Sequence, residues 1–546
     1  MVLSLQPDRG TTPVGPPDIP SDPSADAPGG PRRARIAGMA TATALGLVYL
    51  VVHPASQDYA SGDFRARLFR RGGYLWNNLW FGGHPLPGYG IVSPALGAIF
   101  GVVPIAIVSL LVSTWCFVLL VERWRTTYPT LPDPTLGVML FACGCAVNLW
   151  GGRLTFGPAV MFGTLCAVAL QRHHRRLVVV FAALCGLSSP VGALSLAIIL
   201  AALWIAEAAP RRLVVTAMSA AVVPIGLLIV IFPEGGWFPF TWGSFVLLAS
   251  GLVIASWFAR DVPFVRWLTA IYGAVALGAF LVRSPLGGNV VRLGWLGLGP
   301  AVALSARQHR RVLVPVVAVC SLVWSGAYVK MGFFPPAEAA KASYYEPLAR
   351  YLETLPQPLR VEVVPTTTFS QADGLALQIS GIARGWESQV DRELNPELNT
   401  GDLDSGTYHR WLLDNAVSVV ALPHDSIRPQ SRDEAAVIEA GAPYLTKVWA
   451  SVDWDVYRVI DARPLADHGA TIVKVEPERL TIDAPNTGWT EVKFRYTDLY
   501  RVSAGDACVE PTDAGWIRLL VHRAGRIELS VQLTGDAVLR RQEPCR

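Results

Sequence analysis

The sequence contains few charged residues. Asp, Glu, Lys and Arg make up only 16% of its 546 residues, and just five of the basic residues are lysines. Hydrophobic residues make up 52% of the chain, and the mean hydropathy is +0.37. Soluble domains rarely combine so many apolar residues with so little charge. The composition therefore argues against a wholly soluble protein and favours one that is embedded in a membrane.

Motifs for nucleotide and metal chemistry are also missing from the sequence. We find no Gly-rich phosphate-binding loop, no zinc-ligand spacing and no nucleophile elbow. The pairs Gly82-Gly83 and Gly287-Gly288 are too short to count as nucleotide motifs. Nothing in the sequence points to ATP hydrolysis or to nucleic acid as a partner. There is also no internal repeat with matching broken helices, and this argues against a transporter or flippase.

The apolar residues concentrate between Ile36 and Val329, mostly in runs of roughly 17–22 residues, which is the length of a membrane-crossing helix. The eleven runs lie at residues 36–52, 103–121, 135–150, 154–170, 177–187, 191–206, 213–232, 242–258, 264–282, 289–305 and 312–329. We predict an all-α membrane domain of about eleven transmembrane helices over residues 36–331. Only Ser188-Ser189-Pro190 separates the fifth run from the sixth. Residues 177–206 could therefore be two spans or one kinked or re-entrant element.

Arginine placement predicts the orientation of these helices. With residues 1–35 in the cytoplasm, the predicted inner segments contain fifteen arginines, whereas the outer turns after the first loop contain only Arg153 and Arg283. This alternation follows the positive-inside rule. We therefore predict a multi-pass protein of the cytoplasmic membrane, with its C-terminal region outside. Residues 1–35 are rich in Pro, Gly and Ser, and we expect them to be disordered.

The first outer loop, residues 53–93, is unusually long for a connection between membrane helices. Ser61-Gly62-Asp63 precedes a short amphipathic stretch, Phe64–Arg71, which ends in glycine. We predict a helix capped by Asp63 that lies in the membrane interface. The tryptophans of the following Trp76–Leu86 stretch are flanked by Asn and Gly, which suits the level of the lipid headgroups.

The C-terminal region has the composition of an ordinary globular protein. Residues 335–465 are predicted to form an extracytoplasmic α/β subdomain, and residues 466–546 an extracytoplasmic all-β, sandwich-like subdomain. The predicted strands are 359–365, 417–422, 456–460, 470–475, 478–483, 491–496, 515–521 and 526–533, and the predicted helices are 371–384 and 432–440. Cys508 and Cys545 are the only cysteines here, and the predicted compartment favours disulfides, so we predict that they are bonded.

Candidate functional residues lie on the predicted outer face. Asp58 and Asp63 in the first loop are either ordinary loop and cap residues or a carboxylate that deprotonates an acceptor hydroxyl or binds a divalent metal. Arg292 lies inside the tenth run beside Asn289, where it either snorkels to the surface or binds phosphate. Arg283 and Arg153 are predicted at the same level, and His84 is either a pocket residue or an interfacial one.

The arrangement resembles the GT-C superfamily of membrane glycosyltransferases, which have a long first outer loop with a juxtamembrane helix and a key acidic residue. The stretch from Asp58 through Trp76–Leu86 to Ser93-Pro94 is similar to YfhO-like and related actinobacterial membrane proteins. C-terminal motifs, among them Gly385-Trp386-Glu387, resemble the same group. By this resemblance Asp63 or Asp58 would be the catalytic carboxylate, and Arg292 would bind the phosphate of the lipid carrier. The adjacent Asp-Glu pair of many GT-C members is missing.

These features lead to three hypotheses. The first is a glycosyltransferase that takes sugar from a polyprenyl-phosphate carrier and transfers it to a cell-envelope glycan at the outer face of the membrane. The second is a transporter or flippase. The third is a non-catalytic scaffold whose outer domain binds glycans, for which an all-β module is suited by analogy of fold. The first and third differ at Asp58 and Asp63, because a scaffold should tolerate the loss of both carboxylates.

Overall fold

The computed structural model describes residues 30–54, 56, 58–127, 132–305, 338–424, 427–535 and 545. The predicted run 312–329 and residues 1–29 lie outside the described residues. The predicted disorder of residues 1–35 is wrong for residues 30–35, which form the first turns of a helix that continues into the first apolar run. Within the described part of the membrane domain and first loop there are twelve helices: α1 Gly30–Val52, α2 Tyr59–Arg70, α3 Val92–Phe100, α4 Val102–Thr127, α5 Thr135–Trp150, α6 Phe156–Gln171, α7 Arg175–Ser188, α8 Pro190–Ile205, α9 Arg211–Ile231, α10 Trp242–Phe258, α11 Pro263–Leu281 and α12 Val291–Ser305.

Ten of the predicted apolar runs coincide with helices, namely α1 and α4 to α12. Four of these, α1, α4, α9 and α11, are long and apolar enough to cross a membrane, and α5, α6, α8 and α10 are shorter apolar helices. Large apolar side chains such as Val51 and Val230 are exposed on the helix surfaces. These helices are consistent with a membrane protein, while the number of about eleven crossings stays a prediction.

Close packing of the helices depends on small residues. A Cβ at Gly186 of α7 would lie 2.0 Å from the Ala221 carbonyl of α9, and a Cβ at Gly144 of α5 would lie 2.7 Å from the Trp295 carbonyl of α12. Such contacts let helix backbones approach closely. The ambiguous segment 177–206 consists of two helices, because Ser189 between them adopts an extended conformation and Pro190 begins α8.

The C-terminal region contains two sheets. The first has the order β3-β4-β6-β5, with β3 Val361–Val363, β4 Val419–Pro423, β5 Leu445–Ala450 and β6 Trp454–Val459; β3 and β4 are parallel, and the other pairs are antiparallel. Its helices are α13 Ala342–Glu353, α14 Gln371–Gly374, α15 Ser388–Leu394, α16 Ser405–Asp414 and α17 Arg432–Glu439. The predicted mixture of helices and strands in this part is therefore present.

The predicted helix 371–384 is wrong beyond Gly374. The chain instead turns at Gly381, which has a φ of +131°. Ile382 donates its N–H to the Leu79 carbonyl, and Ala383 donates to the Val361 carbonyl. Backbone pairing with β3 and with the first outer loop thus overrides the helical pattern of the isolated sequence.

The second sheet is antiparallel and contains five strands: β7 Thr471–Glu476, β8 Arg479–Ala484, β9 Gly488–Arg495, β10 Tyr500–Pro511 and β11 Trp516–Val531. The two predicted strands at 515–521 and 526–533 are one long strand, β11, which pairs with β9 along its first half and with β8 along its second. One buried core joins both halves. Cys508 and Cys545 form a disulfide bond, with Cα atoms 5.7 Å apart.

The first outer loop is packed into protein and not spread along a lipid surface. It contains α2 and a hairpin of β1, Trp76–Asn77, and β2, His84–Pro85. Trp80 is fully buried and stacks on Phe64 with ring centroids 4.0 Å apart, and Trp76 is in contact with Tyr500 of the second sheet. The prediction that these tryptophans lie at headgroup level is therefore wrong, because the C-terminal region, which we call the outer domain after its predicted location, covers them.

Candidate functional site

Helix α2 joins the membrane helices to the outer domain. A Cβ at Gly62 would lie 2.7 Å from the Leu154 side chain, so this face of α2 packs closely on the turn before α6. On other faces, Arg65 binds Glu387, Arg67 binds Asp373, and Arg71 donates to the Leu377 carbonyl. The arginines that suggested an interfacial helix thus bind the outer domain.

Asp58 and Arg153 form an ion pair where α2 meets the membrane helices. Their Oδ2 and Nε atoms are 3.4 Å apart, and the Arg153 guanidinium lies 4.1 Å from the centre of the Trp295 ring on α12. Asp58 stands at the N-cap of α2 but makes no capping hydrogen bond with its side chain. Its carboxylate is instead paired with Arg153, in the turn before α6.

Arg292 lies beside this ion pair on the first turn of α12. Its guanidinium is 5.6 Å from the centre of the Phe156 ring, and its Nη2 donates to Asn289 Oδ1 over 2.7 Å. Only 9% of Arg292 is exposed. No carboxylate among the described residues is within ion-pair distance of it, so this buried cation has a neutral partner in Asn289. A buried cation of this kind is well placed to bind an anion.

Tyr89 connects the Asp58 group to a second polar cluster. The Arg65 guanidinium lies 4.4 Å from the centre of its ring. Burial raises the pKa of the Tyr89 hydroxyl to about 12; Arg292 and Arg65 oppose this shift, whereas Asp58 and Glu234 add to it. Two arginines and two acidic residues therefore act electrostatically on this one phenol.

The second cluster, which we call the junction cluster, consists of Arg65, His84, Glu234 and Glu387. Arg65 Nη2 donates to Glu387 Oε1 over 2.5 Å, and His84 Nε2 lies 4.0 Å from Glu387 Oε2. Arg65, His84 and Glu387 are each more than nine-tenths buried. Sequence reasoning assigned no role to Arg65, Glu234 or Glu387, although Glu387 belongs to the Gly385-Trp386-Glu387 motif quoted for the family resemblance.

Hydrogen bonding indicates which tautomer of His84 is present. The Leu79 N–H donates to Asn77 Oδ1, so that Asn77 Nδ2 faces His84 Nε2 at 3.0 Å. His84 Nε2 must then accept, and the proton of the neutral ring lies on Nδ1. Burial lowers the pKa of His84, although the Glu387 carboxylate opposes this effect. His84 is thus a buried junction residue that carries an N–H donor on Nδ1.

Several polar atoms of the junction cluster have no hydrogen-bond partner among the described residues. They are Arg65 Nε, His84 Nδ1, Glu234 Oε1 and Glu387 Oε2. Burial raises the pKa of Glu234 to about 8; Arg65 opposes the shift and Glu387 adds to it. Glu234 is therefore mostly protonated at neutral pH. Unpaired buried polar groups are uncommon in folded proteins and usually indicate bound water, a ligand or a catalytic role.

Asp63 lies inside α2, not at its N-terminus, and the predicted cap is wrong. The helix begins four residues earlier, at Tyr59. Asp63 Oδ2 is 3.1 Å from Arg67 Nε, and Arg67 also binds Asp373. Burial raises the pKa of Asp373 to about 6, and the nearby Asp63 adds to the shift. Asp63 is thus tied to the outer domain on a different side of α2 from Arg65.

Arg283 makes different contacts from Arg153 and Arg292. It is exposed, and its guanidinium lies 5.1 Å from the centre of the Trp237 ring. Among the described residues no group of three or more His, Cys, Asp or Glu side chains is arranged to hold a metal ion. The predicted outer-face site therefore divides into three parts: the Asp58–Arg153–Arg292 group, the junction cluster with His84, and the surface around Arg283.

A scan against protein-family models finds no match to this chain, and a search of curated proteins finds no significant relative.

Proposed function

We propose that this protein is a membrane glycosyltransferase that takes sugar from a polyprenyl-phosphate carrier and transfers it to a cell-envelope glycan at the outer face of the cytoplasmic membrane. The observation that carries the proposal is the meeting of Asp58, Arg153 and Arg292 around Tyr89, where the first outer loop joins the membrane helices. A carboxylate and two arginines at this position supply the groups that the reaction needs.

Arg292 would bind the phosphate of the carrier, because its planar guanidinium can donate two parallel hydrogen bonds to phosphate oxygens. The Asp58 carboxylate would accept the proton of the acceptor hydroxyl. The acceptor oxygen would then form a bond to the anomeric carbon as the bond from that carbon to the phosphate oxygen breaks, and polyprenyl phosphate leaves with the electron pair. Arg153 would hold Asp58 in place through their ion pair.

The geometry favours Asp58 over Asp63 as the catalytic carboxylate. The sequence alone favoured Asp63, because a helix cap would hold it at a fixed depth. Asp63 is instead paired with Arg67 and adjoins Asp373, whereas Asp58 reaches Arg153. Asp58 and Arg292 also both act electrostatically on the Tyr89 hydroxyl.

The proposal is tested by assaying the purified protein in proteoliposomes with polyprenyl-phosphate-linked hexoses and pentoses that carry a radiolabelled sugar, together with an envelope glycan extract as acceptor. Asp58→Asn should lower the rate of transfer by about 10²–10⁴-fold, which is the usual contribution of a positioned base. Asp63→Asn is the matched control and should keep most of the activity. If Asp58→Asn and Asp63→Asn were both as active as the wild type, this mechanism would be excluded.

Arg292 offers an independent test of carrier binding. Arg292→Lys should lose much of the activity because a point charge replaces the two-pronged guanidinium. The matched control is Arg283→Lys, which should keep its activity because the Arg283 guanidinium lies on Trp237 and not beside Asp58. Full activity of Arg292→Lys would remove Arg292 from the site. If no sugar is transferred by any form while Asp58→Asn cells keep a normal envelope, the scaffold hypothesis replaces this one.

The proposed outer location of the C-terminal region rests on the arginine distribution. A single cysteine at the exposed Ser405, in a background without the native cysteines, should react with a membrane-impermeant thiol reagent in intact cells. A cysteine at Ser24 should not. Ser431 is unsuitable for this test because it is only 4% exposed. Labelling at Ser24 and not at Ser405 would reverse the orientation.

A further inference from the structure

Two arginines share one tryptophan where the outer domain meets the membrane helices. The Arg283 guanidinium lies 5.1 Å from the centre of the Trp237 ring, and the Arg392 guanidinium lies 5.4 Å from the same centre. Trp237 is in the loop between α9 and α10, Arg283 follows α11, and Arg392 is on α15 of the outer domain. Three separate segments therefore build this surface, which we call the Trp237 surface.

The loop that carries Trp237 is fixed on both sides. The Phe238 N–H donates to the Ser284 carbonyl over 3.0 Å, which places Trp237 next to Arg283. On the other side a Cβ at Gly236 would lie only 2.0 Å from the Gln389 carbonyl of α15. Gly236 also has a φ of +75°, so glycine is favoured there for two reasons. The surface is a built feature of the fold.

Neither arginine has a carboxylate partner within 4.0 Å among the described residues. Arg392 donates only to the Ser388 carbonyl, over 3.4 Å. Its neighbour Asp391 is used by Arg384, Asn395 and Asn399. Glu393 is directed to Gly235, since a Cβ there would meet its Oε2 at 2.2 Å. Two like charges on one ring repel each other, and an anion between them would remove that repulsion.

The surroundings place the Trp237 surface at the level of lipid headgroups. Arg283 comes two residues after the end of α11, and the preceding Leu281 and Val282 are 70% and 64% exposed. Trp242, which begins α10, is 66% exposed. Exposed apolar residues next to exposed tryptophan and arginine are typical of the boundary between the acyl chains and the headgroups.

We propose that the Trp237 surface binds the phosphate of an anionic phospholipid in the outer leaflet. Each guanidinium can stack on the indole with its face and still donate N–H groups from its edge to phosphate oxygens. The lipid's acyl chains would lie along the exposed apolar residues of α10 and α11. In the part of the chain that the structure describes, no carboxylate is paired with either arginine, and the proposed role is lipid binding alone. This proposal is independent of the glycosyltransferase activity.

The test is native mass spectrometry of the detergent-purified full chain mixed with phosphatidylglycerol, phosphatidylcholine or polyprenyl phosphate. Each arginine near a lipid surface contributes roughly 1 kcal/mol, which corresponds to about fivefold in affinity. We expect Arg283→Gln to bind phosphatidylglycerol about fivefold more weakly, and the Arg283→Gln/Arg392→Gln double variant about 25-fold more weakly. Because Arg283 is exposed, the single variant should fold normally.

The matched control is Arg260→Gln, in which a single arginine that lies 5.8 Å from the centre of the Trp257 ring is removed. It should bind phosphatidylglycerol like the wild type. Equal phosphatidylglycerol binding by the Arg283 variants would overturn the proposal, as would equal binding of phosphatidylcholine by the wild type. If the Arg283 variants lose polyprenyl phosphate and keep phosphatidylglycerol, the surface is a carrier site. If millimolar inorganic phosphate displaced phosphatidylglycerol from the wild type, the surface would be a site for free phosphate and not for lipid.

Discussion

Arg384 and Arg65 are both buried arginines that bind carboxylates, yet their surroundings differ. Arg384 donates to Glu362 over 2.9 Å and to Glu434 over 2.5 Å, and it lies 3.7 Å from Asp391. Tyr408 donates to Glu434, and two asparagines donate to Asp391, so nearly every polar atom of this network is bonded. Arg65 is paired with one carboxylate, that of Glu387. Four polar atoms of its cluster have no hydrogen-bond partner among the described residues.

The difference arises because the two groups of residues come from different parts of the chain. The Arg384 network is built within one region, residues 362–434, around the first sheet of the outer domain. Burial, the Glu434 carboxylate and the Asp391 carboxylate raise the pKa of Glu362 well above its usual range, although Arg384 opposes the shift. The junction cluster instead draws on α2, the β1–β2 hairpin, the α9–α10 loop and the outer domain. The hydrogen-bonding capacity left over at such a meeting point is where water or a substrate can bind.

The largest predicted effect is at Arg384. Arg384→Leu would leave three carboxylates buried without their cation, and we expect the free energy of unfolding of the outer domain to fall by about 3–5 kcal/mol. Pulse proteolysis of the purified full chain in increasing urea would measure this. The matched control, Arg350→Leu, removes an exposed arginine from α13 and should change stability little. Equal stability of the two variants would show that the network does not hold the outer domain together.

A smaller effect is predicted for the Arg65–Glu387 pair. Arg65→Met and Glu387→Gln should each lower the stability of the outer domain by about 2–3 kcal/mol, because each leaves a buried group with one partner fewer. The double variant should lose less than the sum, with a coupling energy of about 1–3 kcal/mol. The same urea assay gives all three values. Strict additivity would mean that the two side chains do not stabilise each other and would remove the contrast with Arg384.

Much of the fold could be predicted from local pattern. The apolar runs gave ten helices close to their observed bounds, because a helix surrounded by lipid is specified by its own composition. The strands 417–422 and 456–460 were found because buried β-branched runs are short and distinctive. The helix 371–384 was wrong since its backbone pairs with Leu79 and Val361, which are far away in sequence.

The candidate site was predictable only in part. Asp58, Arg153 and Arg292 were selected because charge next to apolar helices is unusual, and the structure brings them together. Glu387 and Arg65 could not be paired from sequence, since 322 residues separate them. Trp76 and Trp80 were placed at the lipid surface because the pattern of an interfacial aromatic residue is the same as that of a core residue under a second domain.

The last prediction concerns the proton on Glu234, which distinguishes the junction cluster from an ordinary ion pair. Its pKa is raised to about 8 in the folded protein, so the folded state keeps a proton that the unfolded chain releases near its ordinary pKa. This group therefore stabilises the fold fully only at acidic pH, and its contribution is lost as the pH rises to about 8. Between pH 6 and 8 the loss is at most roughly 1.4 kcal/mol for each pH unit.

Glu234→Gln keeps a neutral side chain at every pH and should remove this slope. We expect the variant to unfold at a higher temperature than the wild type at pH 8, and the difference should shrink towards pH 5. Thermal unfolding followed by tryptophan fluorescence from pH 5 to 8.5 would measure it, with Glu346→Gln on the exposed face of α13 as the matched control. Parallel pH curves for the wild type and Glu234→Gln would mean that Glu234 is ionised in the folded protein. The junction cluster would then hold two carboxylates against one arginine, an excess of acidic groups over cations like that of the Arg384 network.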